Sequence, residues 1–167
     1  MEPGLTAQLD VVASMAVAMV LGGMIGYERE LKRRPAGFRT HMLVAGASAL
    51  LVAMGTLTVD LHLDGAGDGV LRIDPLRLVE AVIGGVAFIG AGTIFGESRR
   101  GGETIAGITT AASLLTVAVI GVAAGLDYYL VAGAATALAL FVLVALSWWE
   151  RRQALAPPPP PDRPAQN

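Results

Sequence analysis

Glu28, Arg29, Glu30, Arg39 and Thr40 are the residues whose types and spacing most suggest chemistry in this sequence. They lie in GGMIGYERELKRRPAGFRTHMLVAG, residues 22–46, where one apolar run stops at Gly26 and another begins at Met42. Lys32, Arg33 and Arg34 need only a membrane surface, because long basic side chains snorkel to the interface and leave their stems among apolar groups. Glu28 and Glu30 do not follow from that anchoring. Acid and base mixed at one depth imply ion pairs with defined partners, Arg29 or Arg39 with Glu28. Such a pair would fold the loop against the mouth of the bundle that the apolar runs form. Structural and functional roles both stay open for these residues.

The other candidates are scattered. Glu80 lies near the start of a later apolar run, with Arg77 at i−3 on the same helical face, so a local salt bridge is feasible. A carboxylate inside a membrane is a functional candidate by default, although at so shallow a depth an interfacial role weighs more. Gly90-Ala91-Gly92 is where a helix would break along a conduction path, and Thr109 and Thr110 can hydrogen-bond their own helix or a neighbour. Asp60, Asp64, Asp68 and Asp74 offer oxygen ligands, but the final Glu of an EF-hand is missing, which leaves a solvated acidic loop. The absence of cysteine excludes disulfides, thiolate metal sites and cysteine nucleophiles. Two distant histidines do not suggest a His-rich metal site. Nothing in the chain suggests a nucleophile–base pair, a phosphate loop or a basic-aromatic nucleic-acid surface. Enzyme, cofactor-binding and nucleic-acid-binding readings therefore have no constellation behind them.

The elements that position these residues are apolar runs. The chain of 167 residues is 54% hydrophobic and 16% charged, against roughly a quarter charged in soluble domains; its mean hydropathy is +0.61. Five runs approach bilayer-spanning length: Val11–Tyr27, Met42–Val59, Leu76–Gly96, Ile105–Ala124 and Tyr128–Trp149. Backbone polar groups in lipid must be satisfied within the span, so helices are required. The expected fold is all-α, a polytopic bundle of five transmembrane helices over residues 11–152. Residues 1–10 form a short leader without Lys or Arg, so the first run reads as a retained span and not as a cleaved signal. Residues 153–167 form a tail with Pro157–Pro161 in succession, expected to be extended or disordered. With five spans, Arg29, Lys32, Arg33, Arg34, Arg39, Arg99, Arg100, Arg151, Arg152 and Arg163 fall on one side and only Arg72 and Arg77 on the other. That asymmetry predicts an outside N-terminus and a cytoplasmic C-terminus. Gly84, Gly85, Gly90, Gly92 and Gly96 make the third run the expected central helix. Gly22, Gly26, Gly121 and Gly125 are its candidate contacts.

The motifs also carry a resemblance. GGMIGYERE followed by AGFRTHMLV is similar to the opening motif of the MgtC/SapB family of bacterial inner-membrane proteins. DPLRLVEAVIGGVAFIGAGTIF resembles that family's Asp-Pro-x-Arg entry and glycine-rich core. IAGITTAASLLTVAVIGVAAG resembles its Gly-Leu-Thr-Thr-Ala-Ala helix. The likeness runs from about Leu21 to Gly125 in order and spacing. Ala87 departs from the family's usual Gly, and Leu115 from its frequent Trp. The chain also stops soon after the fifth run, whereas longer members continue into a cytoplasmic domain. The resemblance implies a non-enzymatic factor of magnesium homeostasis and stress response in the inner membrane, without a cofactor. It would act by binding other membrane proteins, such as the F-type ATP synthase that some members of the family restrain, and a homodimer is compatible with its glycine faces. The alternative is a cation transporter or channel, for magnesium or protons, which would need a polar path joining Glu80, Gly90–Gly92 and the Glu28/Arg39 mouth.

Overall fold

The computed structural model describes residues 3–63, 74–101 and 107–154. Asp64, Asp68, Arg72 and the proline run lie outside them. Five helices follow in order: α1 Leu5–Leu31, α2 Phe38–Leu63, α3 Pro75–Gly101, α4 Ile108–Gly125 and α5 Tyr129–Ala154. No strand occurs among the described residues. Four helices are long and apolar enough to cross a membrane, and α5 contributes a shorter apolar stretch, Tyr129–Ala145. The protein is a helical membrane protein.

Local chemistry sets the helix ends. At the end of α1, Arg34 N–H reaches the Arg29 carbonyl and Arg33 N–H the Glu30 carbonyl, with Arg33 in the left-handed region at φ 53°. That is a Schellman stop, and Pro35 follows where proline commonly does. α1 thus runs past its apolar stretch into the charged segment before it turns. Pro75 opens α3, preceded by Asp74, whose Oδ1 accepts from Leu76 N–H at 3.0 Å. Gly107, at φ 87°, turns the chain into α4. The α4–α5 turn is tight, with Asp127 at φ 63°.

The central helix is α4, not α3. Among the described residues α4 touches all four other helices, while α3 touches only α2 and α4. The apolar window of α4 is 56% buried and that of α3 only 17%. The glycines expected to make α3 central meet little: Gly84, Gly85 and Gly92 have no neighbour where a Cβ would stand, and Gly90 alone faces Ala111. Phe88 is 82% exposed beside them. Gly22 and Gly26 of α1 instead face the α2 backbone, at the His41 carbonyl and Phe38 Cα. Gly121 and Gly125 of α4 face the α2 carbonyls of Ala45 and Ala49. The core is accordingly built from small residues, with Ala18, Ala45, Ala49, Ala118, Ala124 and Ala132 fully buried. Close backbone approach replaces hydrophobic driving force between helices in lipid.

Candidate functional site

One end of the bundle gathers a buried polar network. Arg29 and Glu28 come from the last turns of α1, and both side chains are withdrawn, at 3% and 10% exposure. Arg29 Nε donates to Glu28 Oε2 at 2.7 Å, and Nη2 reaches Oε1 at 3.5 Å. Lys32, one turn on, pairs with Glu28 Oε1 as well. Its Nζ also donates to the Leu143 carbonyl at 3.0 Å and to Ser147 Oγ, which ties α1 to α5. Two cations at the C-terminal end of a helix complement its dipole, and they offset the unfavourable placement of Glu28 there.

His41 of α2 forms a separate buried contact at the same end, with Gly37 and Ser113 as its partners. Its side chain is fully buried. Nδ1 lies 2.9 Å from the Gly37 carbonyl and therefore carries its proton. Nε2 lies 3.0 Å from Ser113 Oγ on α4. The tautomer fixed by the carbonyl leaves Nε2 of the neutral ring as the acceptor for the serine hydroxyl. Glu30, exposed, accepts from Phe38 N–H at 2.9 Å and so caps the start of α2. Four helices, α1, α2, α4 and α5, are thus pinned together where the α1–α2 loop turns.

The structure sorts the candidates from the sequence. Glu28 and Arg29 pair, and Glu30 holds the loop. Arg39 is exposed and enters no ion pair among the described residues. Thr40 is half-buried beside His41. Lys32 is not a simple surface anchor, since Glu28, Leu143 and Ser147 all hold it. Thr110 is buried at the start of α4, and its carbonyl, 2.8 Å from Ser113 Oγ, competes with His41 Nε2 for the one serine hydroxyl proton; Thr109 is exposed. Glu80 is exposed and forms no ion pair with Arg77 among the described residues. It sits on the first turns of α3, at the far end of the bundle from Glu28, and among the described residues α3 does not touch α1. Glu80, Gly90–Gly92 and the Glu28 mouth therefore do not converge.

A second polar cluster occupies that far end. Tyr129 Oη donates to Asp127 Oδ1 at 2.7 Å, and Ser14 Oγ of α1 donates to Tyr129 Oη at 2.8 Å. A cavity of about 200 Å³ lies there, lined in part by Asp10, Ser14, Thr56 and Asp127. Among the described residues no three metal-ligating side chains come together.

The sequence profile of the MgtC family matches residues 15–152. The chain belongs to the MgtC family. Protein SapB of Bacillus subtilis is 34% identical over 137 residues, which is 82% of this chain and 55% of SapB. Protein MgtC of Brucella abortus is 36% identical over 132 residues, 79% of this chain and 48% of its own length. An Escherichia coli protein named putative magnesium transporter YhiD is 34% identical over 136 residues, 80% of this chain and 59% of that protein. The chain spans about half the length of the curated relatives it matches. No solved structure matches it. The matched region includes Glu28, Arg29, Lys32, His41 and Asp127 but not Asp10 or Ser14, and it stops two residues short of the end of α5.

Proposed function

We propose that this MgtC-family protein is a non-enzymatic factor of magnesium homeostasis that works by binding another protein in the bacterial inner membrane through the outward face of α3. The observation that carries the reading is the state of that face. Gly84, Gly85 and Gly92 meet nothing, and Phe88 and Phe95 are largely exposed beside them. Glycines permit close helix approach in lipid, and among the described residues nothing lies within 4 Å of a Cβ built at these three. The name of the YhiD relative, putative magnesium transporter, supports the magnesium context. The F-type ATP synthase is the partner to which the family resemblance points, and a second copy of the chain is the alternative occupant. Co-purification from native membranes in mild detergent tests this. Wild type should recover a membrane partner, and Gly85→Leu should lose it while the bundle stays folded. Recovery of the bundle alone from every mild detergent would end the reading.

A second reading, cation transport, is supported by the name of the YhiD relative and by the acidic cavity at Asp10 and Asp127. Its test is magnesium flux into proteoliposomes. Absence of flux with wild-type protein would discard it, and flux unchanged by Asp127→Asn together with Glu80→Ala would remove both carboxylates from the path.

A further inference from the structure

Two features stand apart from the α3 face and from the buried network. One is Arg39, exposed and in no ion pair among the described residues. The other is the proline run Pro157–Pro161, followed by Asp162 and Arg163. Five successive prolines favour polyproline II, a conformation without internal hydrogen bonds.

The α1–α2 corner carries a pocket of about 380 Å³, lined by Tyr27, Glu30 and Leu31 of α1 and Phe38 of α2. All four residues are exposed. Glu30 accepts from Phe38 N–H at 2.9 Å, which fixes the two helices against each other across the pocket. Its walls are thus two aromatic rings and a leucine, with a phenol hydroxyl within reach. Aromatic-lined grooves are the surfaces that take polyproline II segments. Arg39 follows Phe38 directly and places a cation beside the pocket.

We propose that this pocket binds the chain's own proline run, Pro157–Pro161, as a polyproline II segment, with Asp162 paired to Arg39. Prolines have no N–H, so the run can lie on an apolar wall at the membrane interface without stranding donors. Tyr27 Oη can donate to one of its carbonyls. The reach is sufficient. Lys32, next to Leu31, is bonded to Ser147 of α5, so the end of α5 lies at this end of the bundle. Ala154 is seven residues past Ser147, about 10 Å along the helix axis. α1 and α5 are in contact, so the outer face of α1 is about one interaxial spacing plus a helix radius away, about 15 Å. The return path is then about 18 Å, and the seven residues from Ala154 to Pro161 span about 22 Å in polyproline II. Charge selects the same register, because Asp162 follows the last proline of the run and Arg39 follows Phe38. A lipid chain could cover the rings, but its contact would not depend on Asp162. Among the described residues α3 does not touch α1, so this contact leaves the α3 face open.

Photo-crosslinking of the full chain in native membranes tests the proposal, with benzoylphenylalanine in place of the exposed Leu31 and the adducts read by mass spectrometry. The main adduct should be monomer-sized and join position 31 to a peptide from residues 155–167. Serine at all five positions 157–161 should lower its yield at least fivefold, with helix content unchanged. Arg39→Asp should lower it at least twofold, and Asp162→Arg in the same chain should restore it. Adducts to lipid, to a second copy or to another protein in place of this one would overturn the proposal. So would a yield indifferent to the serine replacement, or a charge reversal at Arg39 that Asp162→Arg does not rescue.

Discussion

Glu28 is the residue whose loss this bundle should tolerate least. It is the shared acceptor for Arg29 and Lys32, and Arg29 is almost wholly buried. Removing one partner of a buried ion pair leaves an uncompensated charge, at a cost of about 3–5 kcal/mol. Glu28→Ala should therefore lower unfolding stability in detergent by about that amount. Glu30→Ala, which loses one cap to Phe38 N–H, should cost about 1 kcal/mol. Arg39→Ala, at an exposed position, should stay within about 0.5 kcal/mol. Equal losses for Glu28→Ala and Arg39→Ala would mean that the network is misassigned. Ser113→Ala strands the buried His41 Nε2 and should cost about 1–3 kcal/mol by the same measurement. The pairing of Glu28 with Arg29 was legible from mixed charge at one depth. Lys32 was legible in principle as the i+4 partner of Glu28, but snorkelling already accounted for it. His41 and Ser113 lie 72 residues apart, and no local pattern announces a contact that depends on which helix faces meet.

At the scale of elements, the sequence misdirected by abundance. α3 holds the densest glycine cluster, and small residues mark contact faces in lipid. The informative property is what a Cβ would hit. On α4 a Cβ at Gly121 would collide with the Ala45 carbonyl and lie 2.9 Å from Ser48 Cβ. On α3 a Cβ at Gly84 would meet nothing. Backbone cannot yield as a flexible side-chain tip can. Gly121→Ala should then separate α2 from α4 and destabilise the bundle. Gly84→Ala should instead gain about 1 kcal/mol of helix propensity. Opposite signs in thermal unfolding of the two variants are expected. Stabilisation by both would place α4 away from α2, contrary to the packing described. Composition cannot distinguish these glycines, because lipid-facing and helix-facing positions are both apolar, so hydropathy outlines the helices without ordering them.

For the whole molecule, the five helices and the membrane class were legible because spanning length and internal hydrogen bonding leave few alternatives. The handedness of insertion rests on the basic residues, ten against two. It decides which compartment the Glu28 network meets and which one the Asp10–Asp127 cavity opens to. The chain has no cysteine, so single introduced thiols report position without background. Arg34 and Tyr128 are both exposed, the first in the loop after α1 and the second in the turn before α5, at opposite ends of the bundle. In spheroplasts treated with a membrane-impermeant maleimide, Tyr128→Cys should label at once. Arg34→Cys should label only after the membrane is opened, and replacing one of ten basic residues leaves the asymmetry in place. The reverse pattern would put the Glu28 network outside, facing away from the anionic surface of the cytoplasmic leaflet.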